Sequence, residues 1–526
     1  MLTAMRAAET VMGVLARPRN VFIIIALWCA AHFITRLLLS PVLSLDEAEQ
    51  MLFAQELSLG YRFRHPPLIT WLMHLWQSVF GLSGAALFAF KYVVMFLGFA
   101  ALYQAGRVIL KDEVLAALAT FAFSLTYTVG YYPHIDLMHT VLLMSLLSAG
   151  LWNAAMLAER GAPRDYLWFG AITAFGILAK YVYAVFPAAV IAALLFTPAM
   201  RGRLWSWWSV AALGVCLLLL APYGYWAVTF EYSLTDLAEG VTKAQATGFA
   251  AFLEGTLALM LALGEFTLPF LIIFALLFWH AFNARHYARE ELHYGEVRLL
   301  DRDWTHFLWV LIVAAALMMW LPVIAGGATA FKARWMHQVL VALPILLFLF
   351  VKRSGGMAAF ARAAWFYILA VMAVAVVAIA ARFVAYASQE NGCKNCWEYQ
   401  PFAWYAAELE KAGFTQGTIV VDSLGEGMYL GGNLRQRFSE SRVLIPGYPV
   451  SVFPDVREDS RDCLIAWLVR GEKNPMPSPS LIAWLEQAMG VQLTGGEKMG
   501  GIDARIGRSD FTLRYVHIPG GAGQCH

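Results

Sequence analysis

Three carboxylates fall within four residues in Ser44-Leu-Asp46-Glu47-Ala-Glu49, just after an apolar block that closes near Leu39. A carboxylate held at a membrane surface beside basic groups takes the proton of an attacking hydroxyl. The plainer use of Asp46 and Glu47 is to cap a helix or to sit in its first turn facing water. Spacing alone leaves both uses open. Further on, Arg62 and Arg64 precede His65-Pro66-Pro67-Leu68, where two prolines stiffen the return toward the next apolar block. A histidine there donates a hydrogen bond, and its charge near neutral pH depends on what surrounds it. The other informative charges are Asp136 in Tyr132-Pro-His-Ile-Asp136, Lys180 in Gly176-Ile-Leu-Ala-Lys180, and Lys332 with Arg334. A charge in or beside a membrane segment is costly unless it is paired, hydrated or used. Each has a plain alternative: Asp136 a helix cap, Lys180 a snorkelling side chain, Lys332 and Arg334 a solvated loop or lipid-headgroup contact.

The elements that position these residues are membrane segments. Of the 526 residues, 60% are hydrophobic and 14% charged, with a mean hydropathy of +0.61. Soluble domains carry about 25% charge, so this composition excludes an ordinary soluble enzyme. The net charge of +2, without a continuous basic stripe, gives no reason to expect a nucleic-acid partner. Apolar blocks at 21–39, 84–106, 113–130, 138–158, 166–180, 182–198, 206–228, 252–282, 305–325, 336–351 and 363–384 predict about eleven membrane segments. The first of these is expected to be retained and not cleaved as a signal peptide. Blocks 166–180 and 182–198 are short, and their boundary is the place for a re-entrant pair.

With a cytoplasmic N-terminus, the basic loops at Arg107, Arg160, Arg201, Arg285 and Lys352 all lie inside, as positively charged loops do. The loop after Leu39, Asp136, the segment 326–335 and the tail then lie outside, so the chemistry is expected to be extracytoplasmic. The predicted fold class is a polytopic α-helical membrane protein over residues 1–384, with a loop at 40–80, followed by an extracytoplasmic α/β domain at 385–526. Within that tail, Thr418–Val421, Arg442–Ile445, Asp462–Leu468 and Phe511–Ile518 read as strands, and Trp404–Ala412 and Leu481–Met489 as helices. Cys393 and Cys396 are expected to form a local disulfide in an oxidising compartment in preference to a zinc site.

An acidic pair outside the first helix, a basic residue before Pro-Pro-Leu and a long loop between them resemble the GT-C membrane glycosyltransferases. The resemblance is to the protein O-mannosyltransferase and lipid A aminoarabinose-transferase type and covers roughly residues 20–350. Asp46-Glu47 matches the first-loop acidic motif, and Arg64-His65-Pro66-Pro67-Leu68 matches Lys-Pro-Pro-Leu with His65 in the lysine's place. Asp136 matches a second acidic position, and Gly176–Lys180 resembles a segment near the lipid phosphate. Lys332-Ala-Arg334-Trp335, with Cys393-x-x-Cys396 and Gly432-Asn433-Leu434-Arg435 in the tail, resembles the bacterial lipopolysaccharide galacturonosyltransferases.

This resemblance implies a polyprenyl-phosphate sugar donor and a lipid A or lipopolysaccharide-core acceptor, in a bacterial inner membrane. It assigns Asp46 as base, with Glu47 orienting the acceptor or the partners of Asp46, and Asp136 positioning a cation or a sugar hydroxyl. Lys180, Lys332, Arg334 and His65 would bind the donor phosphate, and Arg62 and Arg64 an anionic acceptor. No cofactor is required, and with no tight His/Asp cluster visible in the sequence no metal is assigned. A divalent ion shared by Asp46, Glu47 and Asp136 is the less favoured alternative. A protein O-glycosyltransferase of the same fold and a polytopic lipid or solute transporter stand as the rival functions. Transporters, however, place their buried charges near the bilayer midplane on interrupted, repeated helices.

Overall fold

Long runs of Leu, Val, Ala and Phe make helices here, because in an apolar solvent each backbone polar group needs a partner within its own segment. The computed structural model describes all residues except 1, 63–64, 230–247, 283–294, 327, 390–396, 423–425, 449–452, 455–461, 471–475, 492–498, 507–508 and 521–526. Arg64, Cys393 and Cys396 therefore lie outside the described residues.

The first part contains α1 (Leu2–Leu15), α2 (Pro18–Leu39), α3 (Leu45–Phe53), α4 (Leu68–Phe80), α5 (Gly84–Leu110) and α6 (Glu113–Phe121). It continues with α7 (Tyr127–Gly130), α8 (Met138–Glu159), α9 (Pro163–Ala179), α10 (Val185–Phe196) and α11 (Trp207–Thr229). After these come α12 (Phe249–Phe278), α13 (Gly295–Gly326), α14 (His337–Leu340), α15 (Leu343–Arg353) and α16 (Gly356–Gln389). Seven helices among the described residues are long and apolar enough to cross a membrane, or eight if α6 and α7, bent by 82° at their break, make one span. The count is lower than the eleven blocks because the block at 166–180 folds as α9 (17 residues), that at 182–198 as α10 (12) and that at 336–351 as α14 and α15 (4 and 11).

Two local features shape the site. α5 and α8 lie so close that a Cβ on Gly98 would stand 2.5 Å from Ser145 Oγ, and only glycine permits that approach. The α6–α7 bend, followed by a short 3-10 turn at Tyr132–His134, swings Asp136 back toward the start of α3. Between α9 and a 3-10 turn at Tyr181–Ala184, the expected boundary falls at Lys180, in extended conformation with φ −159° and ψ 133°.

The tail is the expected α/β unit. Its helices are α17 (Phe402–Lys411), α18 (Glu426–Arg437) and α19 (Pro479–Met489), and its strands β1 (Thr418–Val421), β2 (Arg442–Leu444), β3 (Cys463–Arg470), β4 (Met499–Ile506) and β5 (Ser509–Ile518). The sheet runs β2-β1-β3-β5-β4, with β1 parallel to β2 and β3, and β5 antiparallel to β3 and β4. β1 is buried along its whole length, as its unbroken Thr-Ile-Val-Val run requires of a parallel strand covered on both faces. β4 and α18 carry no strong pattern in the sequence: β4 is an edge strand opening on Met-Gly-Gly, and α18 holds Gly427, Gly431 and Gly432. Cys463 is disulfide-bonded.

Candidate active site

The site is built where α3 meets the C-terminal end of α2 and the N-terminal ends of α5 and α8. Ser44 and Glu47 form a capping box: the Ser44 N–H donates to Glu47 Oε2 at 2.9 Å. Glu47 is fully buried, and its carboxylate is consumed by two ion pairs, Arg36 at 2.8 Å and Lys91 at 2.6 Å. Burial alone would raise this carboxyl, but Arg36 and Lys91 outweigh it and hold its pKa at about 2. The charge of Glu47 thus ties α3 to α2 and α5 and does not face an acceptor.

Asp46 is half-buried, one residue earlier on the helix, and among the described residues nothing donates a hydrogen bond to its carboxylate. Its own N–H donates to Asp136 Oδ1 at 3.1 Å, and the Ser44 hydroxyl donates to the same oxygen at 2.8 Å. Burial and the neighbouring Asp46 charge push the Asp136 carboxyl up to about 7. The two acids sit 90 residues apart in sequence and meet at the start of α3.

Beside them lies a group that the sequence reading missed. Glu49 Oε1 is 3.0 Å from His65 Nδ1 and 3.7 Å from His139 Nε2, and the two ring nitrogens are 3.1 Å apart. The expectation of no tight cluster fails among the described residues: these three offer ligand atoms within 4.8 Å of one another. Arg62 contacts Glu49 Oε2 at 3.4 Å and Met428 Sδ at 3.9 Å, so in this conformation it is spent on the protein. Burial lowers the pKa of His65 more than Glu49 raises it, which favours the neutral ring. The signal for this group was weak: Glu49 read only as the third of three carboxylates, and His139 lies alone near the start of the apolar α8.

Lys180 donates to Thr140 Oγ1 at 3.2 Å, one residue along α8 from His139. The break after α9 therefore brings its ammonium to the same end of α8 that carries Asp136 and His139. Lys332 and Arg334 line a neighbouring open cleft of about 300 Å³ together with Tyr127, Tyr132 and Glu265. The Asp136 N–H donates to the Tyr132 carbonyl at 3.2 Å, so one short segment serves both that cleft and the acids at the start of α3.

The tail packs on α3 and the residues that flank it. Asn433 on α18 accepts from Leu43 N–H at 2.9 Å and donates to Leu43 carbonyl at 3.3 Å, and Arg435 donates to the Met51 carbonyl. Gln55 bridges to β2 through both the N–H and the carbonyl of Val443. Leu52, Phe53 and Tyr61 share one core with Phe402, Tyr448 and Phe453 of the tail.

Residues 64–226 match the family described as dolichyl-phosphate-mannose-protein mannosyltransferase. The chain is 29% identical over 509 residues to the lipopolysaccharide core galacturonosyltransferase RgtA of Rhizobium johnstonii, covering 94% of this chain and 96% of that one. RgtB of the same organism is 28% identical over 513 residues, with coverages of 93% and 97%. In fold the chain is similar to ArnT from Cupriavidus metallidurans crystallised with undecaprenyl phosphate, at a TM-score of 0.56 and 14% identity over 94% of this chain and 97% of that one. The apo form of that enzyme gives 0.53 at the same identity, covering 93% and 97%.

Proposed function

We propose, taking as premise that the chain is a membrane glycosyltransferase of the GT-C type, that it transfers a uronic sugar of the galacturonic kind. The donor is a polyprenyl-phosphate sugar and the acceptor lipid A or the lipopolysaccharide core, at the extracytoplasmic face of a bacterial inner membrane. The observation that carries this reading is the convergence of Asp46, Asp136 and Lys180 at one end of α8. The undecaprenyl phosphate named with ArnT and the sugar and acceptor named for RgtA and RgtB support the donor and acceptor classes. A disulfide-bonded Cys463 suits an oxidising compartment for the tail.

In the reaction, Asp46 takes the proton of the acceptor hydroxyl as its oxygen bonds to C1 of the sugar. The C1–O bond to phosphate breaks, and the electron pair leaves on the polyprenyl phosphate. Displacement from the opposite face inverts the anomeric centre. Lys180, Lys332 and Arg334 stabilise the charge that collects on the phosphate, and such fixed cations act more strongly on the transition state than on the donor. Asp136 sets Asp46 through its backbone N–H and holds a sugar hydroxyl. Arg62 and Arg64 receive the anionic acceptor, Arg62 by exchanging Glu49 for it. Glu47 acts as a positioning residue.

Mass spectrometry of lipid A and core oligosaccharide from cells with the gene deleted, restored, or restored as Asp46→Asn tests the reading. Loss of one uronic acid mass, restored only by the wild-type chain, is the expected result. An unchanged lipopolysaccharide with a lost protein glycan would move the acceptor to protein, which the family match over residues 64–226 keeps in view.

A further inference from the structure

We infer that Glu49, His65 and His139 form a binding site for a divalent metal ion of the zinc class, which supplies the positive charge that a lysine gives in the Lys-Pro-Pro-Leu motif. The metal site stands on its own geometry; its role toward a donor phosphate rests on the function proposed above.

The first argument is spacing. A tetrahedral ion with bonds of about 2.0–2.1 Å holds its ligand atoms roughly 3.3 Å apart. The three separations here, 3.0, 3.1 and 3.7 Å, bracket that value. The second is crowding. His139 Nε2 has Glu49 Oε1, His65 Nδ1 and Gln50 Nε2 around it, the last at 3.2 Å. A ring nitrogen offers one lone pair or one N–H, so it serves only one of these neighbours. A cation at the centre of the triangle satisfies the two nitrogens and the carboxylate oxygen together.

The third argument is support. Arg62 contacts the far oxygen of Glu49, leaving Oε1 toward the histidines. Thr70 donates to Gln50 Oε1 at 2.8 Å, fixing the amide that flanks His139. Outer contacts of this kind orient metal ligands. The donor set, two imidazoles and one carboxylate, is that of zinc sites with three protein ligands and one open position. The open position suits a phosphate oxygen, and Lys180 on Thr140 stands next in line along α8.

The test uses the full chain purified in detergent, stripped with chelator and given Zn²⁺ or Co²⁺ alone. The wild-type chain is expected to hold about one zinc ion per chain and, with Co²⁺, to show the strong visible absorption of a four-coordinate site. Glu49→Gln and His139→Gln should lose both. His65→Lys puts a hydrogen-bond donor and a cation beside Glu49 and so guards against misfolding as the cause; it should lose zinc while its elution profile and melting temperature stay close to wild type. Chelation should lower wild-type transfer at least about tenfold. Failure of the wild-type chain to bind zinc, or zinc binding kept in all three variants, would overturn the assignment. Transfer that fails in cells while zinc binding follows these variants would count against the proposed reaction and leave the metal site standing.

Discussion

Asp46 and Glu47 are neighbours of one chemical type put to different work by what surrounds them. Glu47 is sealed between Arg36 and Lys91, and removing one partner of a buried ion pair costs about 3–5 kcal/mol. Lys91→Met is therefore expected to destabilise the protein by that order, read as a fall in melting temperature in detergent. Asp46 keeps its carboxylate clear of donors among the described residues, so Asp46→Asn should leave the melting temperature nearly unchanged. Transfer by that variant should fall by about 10²–10⁴-fold, the usual worth of a general base, in an assay with purified donor and acceptor. Asp136 gives a pH signature. Its pKa rises from 3.8 to about 7 on folding, so the folded state binds the proton more tightly. The stability it contributes is full below the unfolded value and is lost as pH rises through about 7. Thermal unfolding between pH 4 and 8 should show this decline in the wild type and a flatter profile in Asp136→Asn; equal slopes would refute the coupling.

At the scale of elements, two breaks and one docking contact make the site. The bend after α6 presents Asp136, and the break after α9 turns the chain at Lys180 beside Thr140. Lys180→Ala should weaken use of the proposed polyprenyl-phosphate donor, seen as a raised KM or a lowered kcat/KM with the fold intact. The docking contact is α18 on α3. A Cβ on Gly432 would lie 2.3 Å from the Ala48 carbonyl oxygen, and backbone cannot give way as a side-chain tip does. Gly432→Val is expected to cost about 1–3 kcal/mol through overpacking and to reduce transfer, because α3 carries Asp46. Limited proteolysis reads the loosened tail, and transfer at normal susceptibility would show that α18 does not set α3.

Across the whole molecule, the membrane helices bury a large apolar core and a smaller one around α3 and α4, and the tail holds a further core that reaches into the loop after α2. The sheet domain is thus part of the site's scaffold. The proposed orientation places Glu410, exposed on α17, outside the cell. A cysteine introduced there should react with a membrane-impermeant thiol reagent on intact spheroplasts, and reaction only after lysis would reverse the topology. Blocks read by hydropathy at 166–180, 182–198 and 336–351 fold as shorter helices, and α9 still runs the length of α8, from the Arg160–Asp165 pair at one end to Lys180 beside Thr140 at the other.

The sequence by itself determined the class: apolar blocks, the first-loop acids, the Pro-Pro-Leu return, Asp136, Lys180 and most strands of the tail were legible, because each is a local pattern whose physics acts over a few residues. Tertiary structure alone decided which acids are spent and which are available. Glu47 finds its cations 11 and 44 residues away, and Asp136 reaches Asp46 across 90. Glu49, His65 and His139 meet across 16 and 74 residues, and Asn433 holds Leu43 across 390. No periodicity encodes such distances; they follow from helix bends, from Gly98 and Gly432 letting backbones approach, and from the cost of leaving a buried charge without a partner.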